Sequence, residues 1–340
     1  MLQVPRTCVL LVLSASCLLT NAHAGTIDAI NAFGDSLSDV GNIFNLTGGA
    51  EPAAPYVNGQ FSNGNVAVQD LALDLGLAPL TPSRLGGTDY AYGDAQSGST
   101  LYNTAGLGDI LDLDGPSGQI AQFAAANPTG ADPNALYTIW IGANDLAAIP
   151  ASATPGDVAA DIGAIVENID SAINALAGLG AKNFLVITVP DLGLTPDART
   201  AGTSAAASAL SAGFDNTLVN GSSPLPSLAA IAAGDAINIS VLNTYLLLDS
   251  IVASPGSYGF TNVADPCLTG EVNFAGGTPC ATPNQYLFWD GDHPTAAGQA
   301  LVADAALALV TPEPASSLLV AIGLFGVAGL LVRRRHSSVR

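Results

Sequence analysis

Short apolar runs, each stopped by glycine, proline or asparagine, alternate with stretches of helical periodicity along most of this chain. That alternation narrows the fold more than any other feature. Residues 136–141 (LYTIWI) and 184–189 (FLVITV) are continuous apolar runs of the kind that fill a strand buried on both faces. Residues 27–33 and 237–242 read the same way, and residues 90–93 as a shorter strand. Helices are expected over about 66–75, 157–179, 201–218 and 295–309; in the second, Val158, Ile162, Ile165, Ile169 and Ile173 recur at helical spacing and mark a core-facing stripe. Asp112-x-Asp114-Gly115 lacks the further ligands of a calcium loop and reads as a turn. Strand then helix, repeated, implies an α/β protein with a parallel sheet of about five strands and helices on both faces. Ligands of such sheets bind off the carboxyl ends of the strands, so the residues just beyond each strand are the first place to look for chemistry.

The first strand runs into FGDSLSDVGN, residues 33–42. A strand that breaks into Gly-Asp-Ser can present Ser36 as a nucleophile on a fixed origin. The same letters also suit a helix start, with Asp35 or Ser36 capping free N–H groups. Histidine separates the two readings. Of His23, His293 and His336, only His293 lies between residues 25 and 311. It sits in WDGDHPTAAG with Asp290 three residues before it. A serine hydroxyl needs a base, and the base needs a carboxylate to hold its tautomer, so Ser36, His293 and Asp290 could supply all three parts. Asp292 is a rival carboxylate, but side chains of adjacent residues usually point apart.

Four blocks in order, Phe33-Gly34-Asp35-Ser36-Leu37-Ser38-Asp39 with Gly41-Asn42, TDYAYGDA at 88–95, IGAND at 141–145, and Asp290-Gly291-Asp292-His293-Pro294-Thr295, resemble the GDSL, or SGNH, family of esterases and lipases. The resemblance implies a three-layer α/β/α, flavodoxin-like SGNH-hydrolase fold. It implies a serine esterase or lipase that needs no cofactor or metal, with Ser36 as nucleophile and Asp290 and His293 as its partners. It implies an oxyanion hole from the Gly93 N–H, the Asn144 side-chain amide and the Ser36 N–H, and a substrate cleft bordered by the loop 47–64, which carries Tyr56, Asn58, Phe61 and Ser62. Asp145 is expected to position its loop. Many members have a second glycine where this chain has Asp94, which bears on loop shape. The Gly-x-Ser-x-Gly elbow of the other large esterase fold is absent from the sequence.

Charge removes one class of partner. Against 28 acidic residues the chain has 8 Lys plus Arg, for a formal charge of −20. Only Arg84, Lys182 and Arg199 lie between residues 25 and 311, so no nucleic acid is expected to bind. The expected partners are a small ester, a lipid or an acetylated polysaccharide. Residues 1–24 read as a signal peptide: one arginine, an apolar run over 9–19, and Ala22-His23-Ala24 as the cleavage pattern. After Pro312-Glu313-Pro314, residues 315–332 carry no charge and are followed by three arginines. That run is just long enough for a transmembrane helix, the expected route of membrane contact; the tail resembles the PEP-CTERM sorting signal, which implies processing by an exosortase, with a permanent anchor as the alternative. The hydrolase domain is thus expected over 25–311, exported to the cell surface or beyond. Cys267 and Cys280 are the two cysteines left in that domain, and an even pair in an exported chain reads as a disulfide, with two free thiols as the alternative. Three functional readings are open to such a chain: an ester hydrolase, an O-deacetylase of secreted polysaccharide, and a non-catalytic surface protein on the same fold.

Overall fold

The computed structural model describes residues 27–98 and 112–311. The proposed leader and sorting tail lie outside the described residues. Among the described residues no helix is long and apolar enough to cross a membrane.

Four strands, β1 (Ile30–Gly34), β2 (Leu136–Trp140), β3 (Asn183–Ile187) and β4 (Asn238–Leu242), form one parallel sheet in the order β1-β2-β3-β4. Every residue of β1, β2 and β3 is buried, as continuous apolar runs require, whereas β4 is the partly exposed edge. The fifth strand expected at 90–93 is not a regular strand. Residues 88–92 do run beside β1, through Ala32 N–H to Thr88 O, Tyr90 N–H to Ala32 O and Tyr92 N–H to Gly34 O, with one parallel bridge at Asp89. Side-chain bonds to Asp89 and the turn at Gly93–Asp94 leave too little straight backbone for a ladder. Counting this segment, the chain order across the sheet is 2-1-3-4-5, the flavodoxin-like arrangement.

Side chains alternate across the sheet and build two cores. On one face Phe33, Tyr137, Ile139, Phe184 and Val186 pack under α3 (Gln119–Ala126), α5 (Pro155–Leu179), α7 (Ser204–Asn220) and α8 (Leu228–Asp235). On the other, Ala32, Leu136, Trp140, Leu185 and Ile187 meet α2 (Ala67–Asp74) and α10 (Ala296–Val310) through residues such as Leu71, Val302 and Ala306. Three layers result. The stripe expected on the long helix is largely its buried face: Ile162, Ile165, Ile169 and Ile173 are all in the core. The helix begins earlier than its stripe, because Thr154 and Asp157 form a capping box around Pro155. The helix expected over 201–218 is α7, which starts three residues later because Gly202 turns into the left-handed region; a short helix that was not expected, α6 (Pro196–Ala201), precedes that turn.

Three short helices complete the set among the described residues: α1 (Asn42–Leu46), α4 (Ala143–Ala148) and α9 (Thr244–Ala253). Beyond α9, β5 (Asn262–Pro266) pairs with β8 (Tyr286–Phe288), and β6 (Leu268–Thr269) with β7 (Thr278–Pro279). The β6–β7 hairpin is closed by a disulfide between Cys267 and Cys280, as the cysteine count suggested.

Candidate active site

The last residues of the four strands, Gly34, Trp140, Ile187 and Leu242, stand side by side in register. The loops leaving these strands therefore share one edge of the sheet. Ser36 leaves β1 two residues on, and Asn144 lies in the first turn of α4 after β2. Gln119 of α3 grips the end of β1, its amide donating to Gly34 O at 2.7 Å and its carbonyl accepting from Gly34 N–H at 2.9 Å. The segment 286–295 is drawn to the same edge by Trp289 N–H to His293 O at 2.7 Å and by Thr295, whose N–H donates to Leu287 O at 2.9 Å and whose hydroxyl caps α10.

These constraints bring three of the expected residues into line. His293 Nε2 lies 2.8 Å from Ser36 Oγ, and Nδ1 lies 2.8 and 3.0 Å from the two oxygens of Asp290. A carboxylate facing Nδ1 places the proton there and leaves Nε2 free to accept from the hydroxyl. All three side chains are buried. Asp290 Oδ1 also accepts the backbone N–H groups of His293 at 2.7 Å and Asp292 at 3.1 Å. That tight turn overturns one expectation: Asp292 does not point away, and its Oδ1 reaches 3.0 Å from the same Nδ1.

Burial by itself pushes the Asp290 carboxyl up, but His293 and the hydrogen bonds it receives outweigh this and hold it at about 2. Burial pulls the His293 imidazole down; the Asp290 and Asp292 carboxylates more than offset that and raise it well above the ordinary histidine value. Asp35, buried beside Ser36, is pushed up to about 7, chiefly by burial.

The expected oxyanion donors fare differently. The Asn144 side chain does not cap its helix; it spends one N–H on Ala95 O at 2.9 Å and keeps its second. Gly93 N–H, by contrast, donates to Asp39 Oδ2 at 3.0 Å and so is not free in this arrangement. Asp39 is fully buried and also collects the N–H groups of Gly41 and Ile43, at 2.7 and 3.1 Å. Asp94, the residue after Gly93, adopts φ +60. Asp145 acts on a loop as expected, its carboxylate accepting the Ser97 N–H and hydroxyl at 3.0 and 2.7 Å. A cavity of about 320 Å³ opens in front of Ser36, Asn144 and His293, walled by Leu146, Ala147, Leu192 and Leu210. On the far side of His293 stand Phe61 and Phe274, their ring centroids 5.3 and 5.7 Å from the imidazole.

Asp290, Asp292 and His293 form a grouping, among the described residues, whose possible ligand atoms lie within 4.8 Å of one another. Its one nitrogen on that side, Nδ1, is hydrogen-bonded to Asp290 and stands 3.0 Å from Asp292 Oδ1.

A hydroxyl, an imidazole and a carboxylate hydrogen-bonded in series at the carboxyl edge of a parallel α/β sheet are what a hydrolase with a side-chain nucleophile requires. The profile of GDSL-like lipases and acylhydrolases matches residues 30–306. The chain belongs to that family, whose members hydrolyse ester bonds. It is 30% identical to an uncharacterized Pseudomonas putida protein of the trpE-trpG intergenic region, over 88% of this chain and 51% of that protein. It is 28% identical to a GDSL esterase/lipase of Arabidopsis thaliana, over 80% of this chain and 84% of the relative. With the esterase EstA of Pseudomonas aeruginosa it shares 29% identity, over 88% of this chain and 50% of the relative. The chain thus spans about half the length of two of these three relatives.

Proposed function

We propose that this chain is an exported serine esterase or lipase that cleaves carboxylic esters through Ser36, His293 and Asp290 by way of an acyl-enzyme. The observation that carries the reading is the 2.8 Å contact of His293 Nε2 with Ser36 Oγ, backed by the 2.8 Å contact of Nδ1 with Asp290. His293 accepts the Ser36 proton as the hydroxyl attacks the ester carbonyl, and returns it to the leaving alcohol; water then releases the acyl group by the same route. Charge on the carbonyl oxygen is met by the Ser36 N–H and the free Asn144 N–H, each such donor lowering the barrier by about 3 kcal/mol. Gly93 N–H joins them only when it releases Asp39.

The leader pattern of 1–24 and the Pro-Glu-Pro tail support export and processing by an exosortase-type enzyme. The same tail favours a second reading, O-deacetylation of secreted polysaccharide. Release of p-nitrophenol from acetate and octanoate esters, with Ser36→Ala as control, tests the chemistry. Turnover is expected in the parent chain and lost in the variant; equal turnover by both would overturn the reading. Acetate release from an acetylated polysaccharide then separates the two substrates.

A further inference from the structure

Asp290 receives a donor that the three-residue relay does not account for. The Tyr56 hydroxyl donates to Asp290 Oδ2 at 2.7 Å, and that same oxygen stands 2.8 Å from His293 Nδ1. The backbone N–H groups of Asp292 and His293 both go to the other oxygen, Oδ1. Tyr56 thus holds the oxygen that the backbone leaves alone. It comes from a loop 234 residues away in sequence, yet its ring is fixed edge-on against both Trp289 and Phe274, each at a centroid distance of 6.1 Å. The chain just before it is pinned to the disulfide hairpin by Ala53 N–H to Phe274 O and Gly276 N–H to Ala54 O, both 2.9 Å. Phe274 is itself held with φ +52 at a turn tip, a conformation that a bulky residue keeps only where its surroundings impose it.

We propose that Tyr56 is a positioning residue for ester hydrolysis: its hydroxyl holds Asp290 Oδ2 against His293 Nδ1 and shares that carboxylate's charge with the imidazole. The inference rests on the assignment of Ser36, His293 and Asp290 as the hydrolytic relay. Burial and the neighbouring Asp290 raise the Tyr56 hydroxyl far above an ordinary phenol, so it stays a donor across the working range of pH. A hydroxyl that draws charge from Asp290 weakens the pull of the carboxylate on the imidazolium; without it, His293 holds its proton to higher pH. The other charged groups facing this pair are Asp35 after β1, Asp94 in the following loop, Asp197 on α6, Glu271 in the hairpin, and Asp292. None of them changes when the Tyr56 hydroxyl alone is removed.

Tyr56→Phe in the full chain keeps the ring and its edge-on contacts. Expected are a fall in kcat of about tenfold on a p-nitrophenyl ester at unchanged KM, and an acid limb of kcat/KM displaced upward by about half a pH unit. Unchanged kcat overturns the proposal. So does a fall in kcat with the acid limb unmoved, the result expected of a loop tether alone. Should Tyr56→Phe fail to fold, 3-fluorotyrosine placed at position 56 keeps the ring and strengthens the donor; the acid limb must then move down, and no movement overturns the proposal. Ser36→Ala separates the two readings. Turnover retained in that variant removes the catalytic assignment itself, whereas a dead Ser36→Ala beside a normal Tyr56→Phe removes only the role of Tyr56.

Discussion

Gly34 sets the distance between the first two strands and hence the origin of Ser36. A Cβ there would lie 2.2 Å from the Trp140 carbonyl oxygen, on a backbone with φ +154. Gly34→Ala is expected to cost at least about 2 kcal/mol in urea unfolding and to depress turnover, because relieving the clash moves Ser36 away from His293. At Asp292 the effect is electrostatic. Its side chain is 56% exposed and its charge raises the proton affinity of His293, so Asp292→Asn should shift the acid limb of kcat/KM downward by about half a pH unit, visible in a pH–rate profile. Ser36, His293, Asp290 and Asn144 were legible in the sequence because each lies in a short block with its neighbours at fixed spacing. Three features were not. The approach of Asp292 depends on a turn made by Asp290 accepting two successive N–H groups; the capture of Gly93 N–H depends on Asp39 being buried; and the Tyr56 contact joins segments whose packing leaves no periodic trace in sequence.

At the scale of elements, the disulfide hairpin β6–β7 presses Phe274 onto Tyr56, Phe61 and His293, so its integrity reaches the site through one aromatic ring. Replacing Cys267 and Cys280 together by serine should lower stability by up to about 3 kcal/mol in thermal or urea melts. It should also reduce kcat, since the turn that carries Phe274 loses its closure. An unchanged kcat would show that backbone pairing alone holds the turn. Strands β1 to β3 were legible as apolar runs because both of their faces are covered. The segment 88–92 defied the same reading: it borders β1 on one side and only the short stretch 81–83 on the other, and the Asp89 carboxylate is drawn into bonds with the Val40 N–H and the Asn42 side-chain amide. Gly202 was overlooked as a break because the alanines on either side suit a helix.

The whole molecule stores much of its acidity in the interior. Asp35 and Asp215 are pushed up to about 7, Asp39 and Asp145 to about 6, and Asp89 well above the usual range, all chiefly by burial. A carboxyl whose pKa is higher folded than unfolded binds protons more tightly in the native state. Stability therefore falls as pH rises from about 4 through 7. Asp290, held at about 2, acts oppositely and loses its contribution only in stronger acid. The melting temperature is accordingly expected to peak in mildly acidic buffer and to decline toward pH 8, the direction in which a chain of formal charge −20 also repels itself most. Added salt should recover part of the loss at pH 8 by screening, and a melting temperature that climbed steadily from pH 5 to 8 would contradict this expectation. Ser36 and the His293 it contacts are separated by 257 residues, and the helix beyond His293 packs against α2 near the start of the described residues. A nascent polypeptide therefore carries Ser36 long before the imidazole that faces it, and the pair can form only once residues 296–310 have been made and docked.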